Sequence, residues 1–192
     1  MKKYELTTNT KMRFGRKLFQ IKALVSFGDV AAGDLGGYIE KEENLSHDGD
    51  AWVSGNALVY GNAMVSGNAL VSGNARVYGN ARVYGDARVS GNAWVYGDAW
   101  VSGDARVYGD AMVSGNADYI CFKGFGSVNR NTTMFRTKNG DIYVCCGCFE
   151  GSLKEFSENV KETHGSSKYA KEYLACIDAA KIHFEIGEKD DK

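Results

Sequence analysis

The chain has 192 residues, with 23 lysines and arginines against 24 aspartates and glutamates, 24 glycines and no proline. A charge balance this close to neutral, with no basic stripe in any segment, argues against nucleic-acid binding through phosphate neutralisation, and the lack of a strongly acidic body argues against DNA mimicry. No apolar run approaches a membrane span or a secretory leader, and five cysteines clustered late fit a reducing compartment, so a cytoplasmic protein is expected.

Residues 1–48 form the first segment. "KLFQIKALVSFGDV" alternates well enough for a strand or hairpin. "GDLGGYIEKEENLS" places Ile39 and Leu45 six apart, the same spacing as the valines of residues 49–120, which suits an irregular first coil. The expected role is a cap, because an open sheet edge invites unwanted pairing.

Residues 49–120 form the second segment, twelve consecutive hexads of the form G-[N/D]-A-x-V-[Y/S] from Gly49 to Ile120. Only the last, "GNADYI", departs from the pattern, with Tyr119 in the valine slot. Period six without insertions excludes an amphipathic helix. Each hexad supplies a short extended stretch, x-V-[Y/S], and a corner, G-[N/D]. Alternation sends the valine inward and its neighbours outward, while glycine and Asn/Asp tolerate the positive φ of sharp corners. No single hexad can bury its valine alone, so stacked coils around a narrow valine and alanine core are predicted.

Read from the valine, V-[Y/S]-G-[N/D]-A-x resembles the hexapeptide repeat of left-handed parallel β-helix proteins. That resemblance implies three hexads per triangular coil, so about four coils of ~4.8 Å each. It also implies that outward residues eighteen apart share a face. The first face then carries Leu58, Arg76, Trp94 and Met112 beside Tyr60, Tyr78, Tyr96 and Ser114. The second carries Trp52, Leu70, Arg88 and Arg106 beside Ser54, Ser72, Ser90 and Tyr108. The third carries Met64, Arg82, Trp100 and Asp118 beside Ser66, Tyr84, Ser102 and Ile120. Trp, Tyr, Arg and Met are the residues interfaces favour. Tyr60, Arg76, Tyr78, Trp94, Tyr96 and Met112 are therefore the expected interface, with a second copy of the chain, as dimer or trimer, the leading partner. The alternative is that the stacked rings and Arg–Trp pairs only stabilise the coils.

Residues 121–192 form an α+β module. "DYICFKGFG", "TTMFRTK" and "DIYVCCGCF" read as strands, with "KNGD" a hairpin turn between the last two. "SLKEFSENVKETHG" opens with a capping box, Ser152 and Glu155, and stops at Gly165. A second amphipathic helix follows, with Tyr169, Tyr173, Leu174, Ile177 and Phe184 on one face.

Candidate chemistry is sparse. Many left-handed β-helix proteins are trimeric acyltransferases with a histidine base, which the resemblance makes an alternative function; here only His47, His164 and His183 exist, and no loop interrupts the coils to build a donor pocket. Cys145 and Cys148 form a C-x-x-C that Cys121 or His164 could complete as a zinc site. On one strand they would alternate faces unless a turn intervenes, and no second C-x-x-C follows, so buried thiols are expected and neither metal nor other cofactor. The corner column Asp50, Asn68, Asp86 and Asp104 lacks the nine-residue calcium word, and corner geometry accounts for it. Gly126, Ser127, Arg130, Thr132 and Thr133, in "GFGSVNRNTTMF", make a candidate anion-binding loop that also reads as an ordinary polar loop.

"GDLGGYIEKEENLSHDGDAWV", running into the hexads, resembles a group of uncharacterised bacteriophage and prophage proteins. The expected function is therefore a non-enzymatic interaction protein, binding and inhibiting a host factor such as a component of antiviral defence in the host cytoplasm. That step is association by resemblance. Besides the acyltransferase, a second alternative is sequestration of a small nucleotide signal at the Arg130 loop.

Overall fold

The x-V pair of each regular hexad is a two-residue strand in the computed structural model, which describes residues 1–186. The corner glycines from Gly49 to Gly109 all have φ between +61° and +73°, a region L side chains rarely adopt. Space demands glycine as well: a Cβ on Gly91 would lie 2.8 Å from the Gly109 nitrogen one coil on.

Residues eighteen apart pair in parallel, as in Leu58–Arg76–Trp94–Met112, Trp52–Leu70–Arg88–Arg106 and Met64–Arg82–Trp100. The result is a parallel β-solenoid of about four turns with three sheets. Every hexad valine from Val53 to Val113 is fully buried, with the hexad alanines beside them. Each valine contributes roughly 1.5–3 kcal/mol of apolar burial, and none could do so without the coils above and below it. Backbone bonds tie the coils together, for instance Tyr60 N–H to the Val77 carbonyl at 3.0 Å and Asn56 N–H to the Gly73 carbonyl at 2.9 Å.

The corners carry side-chain ladders too. Asn74 Nδ2 donates to Asn92 Oδ1 at 3.2 Å, and Asn92 Nδ2 to Asp110 Oδ1 at 3.2 Å. A parallel ladder runs from Asn62 through Asn80 to Asp98, at 3.2 and 2.9 Å. Asparagine both donates and accepts, so it can continue such a ladder, whereas aspartate can only accept and ends the donation.

The N-terminal segment closes the first sheet. Strands β1 (Tyr4–Arg13) and β2 (Arg16–Ala23) form a hairpin, β2 pairs antiparallel with β3 (Leu35–Ile39), and β3 pairs in parallel with Leu58–Val59. Ile39 stands opposite Val59, and Leu45 bridges to Val65, so these two residues make the irregular first coil. Gly36 and Gly37 permit the approach: a Cβ on Gly37 would meet the Ala57 carbonyl and Val53 Cγ1 at 2.8 Å. Buried Asn44 donates to the Gly61 and Ala63 carbonyls at 3.1 and 2.8 Å, replacing backbone that a regular coil would offer. Lys3 Nζ donates to the carbonyls of Gly49 and Ala51 at 3.0 and 2.9 Å, and burial lowers its pKa.

The regular coils stop at Gly115, where the chain divides into two compact units. The last hexad read from the sequence, Gly115–Ile120, makes no coil strand. Asn116–Asp118 is a 3-10 turn, and Tyr119 and Ile120 begin a strand of the second unit. A tyrosine is too large for a slot shaped by valine, so Asp118 and Ile120 leave the third face.

Numbering the two-residue strands β4 (Trp52–Val53) to β14 (Met112–Val113), the second unit contains β15 (Tyr119–Phe125), β16 (Arg130–Arg136), β17 (Ile142–Cys146) and β18 (Phe149–Ser152). They form an antiparallel sheet in chain order, followed by helices α1 (Leu153–His164) and α2 (Lys168–His183). "DIYVCCGCF", expected as one strand, is a hairpin instead. Gly147, at φ +64°, turns the chain between β17 and β18. Ser152 and Glu155 form the expected capping box, with Ser152 Oγ accepting from Glu155 N–H at 3.2 Å, and Gly165 is the C-cap of α1. Met134, Val144, Phe156, Tyr173, Ile177 and Phe184 are core residues of this unit. Tyr169, expected on the inner face of α2, is exposed, and Ala170 takes the buried position. Among the described residues no helix is long and apolar enough to cross a membrane.

Candidate functional site

The eighteen-residue register brings the expected strip together on the first sheet. Tyr60, Tyr78 and Tyr96 stack face to face, with centroids 5.0 and 5.1 Å apart and planes within 1° and 8°. In the next row, Arg76 lies 4.9 Å over the Trp94 ring. Each stacked pair and each cation–π contact contributes of order 0.5–1.5 kcal/mol, so the rings hold one another in place. Burial, then the neighbouring Tyr78, pushes the Tyr60 phenol up to about 12, and burial with Tyr96 raises Tyr78. These phenols stay protonated at neutral pH, so they offer donors and apolar surface and no nucleophile.

The strip is not uniformly open. Phe14, at the tip of the N-terminal hairpin, stacks on Tyr60 at 5.7 Å, and Arg76 lies 5.2 Å over its ring. Leu18, Tyr38 and Leu58 complete a buried cluster around Tyr60, which is only 8% exposed. The ring of Tyr60 is therefore part of the hairpin's packing and not an open face. Tyr78, Trp94, Tyr96 and Met112 remain half-buried. Sequence reasoning missed Phe14 altogether, although a lone glycine between alternating stretches, Phe14-Gly15, is a hairpin signal. The third face has the more exposed large side chains, Trp100 at 48% and Met64 at 39%, with Arg82 lying 5.5 Å over Trp100.

The candidate anion-binding residues lie at the β15–β16 turn and in β16, in different surroundings. Thr132 and Thr133 are buried in β16, where the Thr132 hydroxyl donates to Cys146 Sγ at 3.1 Å. The Gly126 N–H donates to a carboxylate of the protein itself, Glu172 Oε2 at 3.0 Å. Arg130 packs over Gly147, and Ser127 is exposed. An anion at Gly126 would have to displace Glu172.

The cysteines and histidines are spread. Cys121 and Cys148 are exposed, whereas Cys145, Cys146 and Cys176 are buried. Burial, with Cys146 beside it, pushes the Cys176 thiol up to about 11, which leaves it a poor nucleophile. Among the described residues no three metal-ligating side chains are grouped to hold an ion. His47 stacks on Tyr4 at 4.3 Å, and its Nδ1 accepts from the Lys3 N–H at 3.2 Å. His164 stacks on Tyr173 at 5.7 Å, and His183 contacts Phe184 edge-on at 4.8 Å. Each histidine is thus engaged in ring packing.

The YdcK beta solenoid repeat family matches residues 51–67, 59–73, 63–79, 75–89, 87–103 and 105–117. This segment is a β-solenoid repeat. The matches end at residue 117, two residues past the last regular coil, and the N-terminal cap lies outside them. No curated protein matches the chain.

Proposed function

We propose that the protein is a non-enzymatic interaction protein whose solenoid associates with a second copy of itself through the open part of the aromatic strip, Tyr78, Trp94, Tyr96 and Met112. The observation that carries this reading is the stacked tyrosine row beside the Arg76–Trp94 pair on parallel strands. Rings already fixed by stacking lose little rotamer freedom on association, and Trp, Tyr and Arg are the usual interface anchors. The raised phenol and thiol pKa values and the ring-packed histidines favour binding over catalysis.

The finer reading rests on resemblance. The hexad word favours left-handed winding of the coils, and the phage-like segment entering the hexads favours an accessory protein of a bacteriophage or prophage. Its further partner would be a host protein, such as a component of antiviral defence, met in the host cytoplasm.

Light scattering tests the association. Wild-type protein should show a mass of two or three chains. The double variant Trp94→Ser, Tyr96→Ser should lower that mass while leaving the far-ultraviolet circular dichroism unchanged. A wild type that stays monomeric at high concentration overturns the proposal, and loss of association in Trp100→Ser alone would move the interface to the third face.

A further inference from the structure

A groove of about 330 Å³ lies at the corner of the first coils, lined among others by Arg16, Glu40, Lys41, Tyr60, Asn62 and Tyr78. Its hydrogen-bonding groups are unequally satisfied. Arg16 Nη1 donates to both carboxylate oxygens of Glu40, at 2.8 and 3.0 Å, and Glu40 Oε2 also accepts from the Gly61 N–H at 2.7 Å. The one carboxylate is thus neutralised and bonded within the protein. Lys41 forms no ion pair, and the hydroxyls of Tyr60 and Tyr78 form no hydrogen bond, among the described residues.

The groove therefore presents an excess of donors: an ammonium, the remaining guanidinium N–H groups of Arg16 and two phenol hydroxyls. We propose that it binds a small phosphate-bearing molecule, whose phosphate oxygens accept from Lys41, Arg16 and the tyrosine hydroxyls while the remainder lies along Asn62 and Asn80. Donors brought from the hairpin on one side and the solenoid on the other suit a tetrahedral oxyanion better than a planar carboxylate. A volume near 330 Å³ is at the small end for ligand sites, and suits a sugar phosphate or nucleoside monophosphate more than a polymer. The wall is preorganised, because Tyr60 and Tyr78 are fixed by their parallel stack.

The test uses the full chain and follows the backbone amides of Gly61, Asn62, Gly79 and Asn80 by nuclear magnetic resonance. Inorganic phosphate, a nucleoside 5′-monophosphate and the same nucleoside without phosphate are titrated separately. The two phosphate probes should shift these amides saturably, and the nucleoside should not. A tighter monophosphate would show that the groove also holds the organic part, and equal affinities would show recognition of the oxyanion alone; both support the site. Lys41→Ala and Tyr78→Phe should each weaken binding about tenfold, the loss expected for one hydrogen bond to a charged group. Both should keep the wild-type melting temperature, since Lys41 is exposed and the phenylalanine retains the stacking ring. Absence of a saturable shift, equal shifts with the nucleoside, or variants that bind as tightly as wild type would each overturn the proposal. Lys41 lies outside the aromatic strip proposed for self-association, so Lys41→Ala tests the groove alone and the two readings fail separately.

Discussion

Adjacent residues 76 and 77 offer the sharpest contrast in the solenoid. Val77 is fully buried between Val59 and Val95, whereas Arg76 faces outward between the Phe14 and Trp94 rings. In Val77→Asp, burial worth roughly 1.5–3 kcal/mol is lost, and a carboxyl with no partner in a core of valine and alanine costs several kcal/mol more, whether it stays charged or takes up a proton. That sum rivals the ~5–15 kcal/mol stability of an ordinary domain, and the variant should be largely unfolded. Arg76→Asp forfeits two cation–π contacts, at ~0.5–1 kcal/mol each, and should lose about 1–2 kcal/mol. Urea denaturation followed by far-ultraviolet circular dichroism reads the difference. With a slope of ~1–3 kcal/mol per molar urea, the midpoint of Arg76→Asp should fall by roughly 1 M while Val77→Asp shows no folded baseline. Equal midpoints for the two variants would refute the inward and outward assignment on which the faces rest.

Gly91→Ala and Gly103→Ala separate conformation from space. Both have positive φ, which costs ~1–2 kcal/mol for an L residue, but a Cβ at Gly91 also lies 2.8 Å from the Gly109 nitrogen while one at Gly103 meets nothing within 4 Å. Gly91→Ala should therefore have the lower urea midpoint, and the reverse order would show that the coils stack less closely than this approach requires. Acid should loosen the N-terminal cap through Glu40. Burial pushes its carboxyl up, but the Gly61 N–H and the Arg16 guanidinium outweigh burial and hold it below its ordinary value of 4.5. A folded pKa below the unfolded one gives stability that is present above pH ~4.5 and lost as pH falls through the folded pKa. Glu40→Gln should flatten that acid limb in melting temperature against pH, and an unchanged limb would remove Glu40 from the linkage.

Legibility in the sequence followed the range of the forces involved. A hexad specifies its strand, corner and core slot from its own six letters, so the register Leu58–Arg76–Trp94–Met112 and the buried valines were legible in the sequence. Capping at Ser152 and Gly165 was legible for the same reason, since its signals lie within three residues of the helix ends. The end of the solenoid was misplaced because the letters of "GNADYI" keep the period while Tyr119 violates the volume. Likewise "DIYVCCGCF" hid a turn at Gly147, whose one glycine was outvoted by apolar neighbours. The groove beside Tyr60 was invisible because it joins Arg16, Glu40 and Tyr78, residues brought together by the wrap of the hairpin and by no periodicity.

Phe14 shows how the same distinction shapes the candidate site. Its φ of +51° is uncommon for a bulky residue and costs ~1–2 kcal/mol, about what its contacts with Tyr60 and Arg76 return at ~0.5–1.5 kcal/mol each. The turn therefore gains little net stability from placing a ring there, yet it adds a further ring to the tyrosine stack and covers its beginning. With Tyr60 covered, any partner approaching the first face meets the stack at Tyr78 and beyond. The coils of Trp94, Tyr96 and Met112 are then the part of the strip where a partner can bury apolar surface, and an interface on this face is directed toward the later coils by the hairpin that closes the earlier ones.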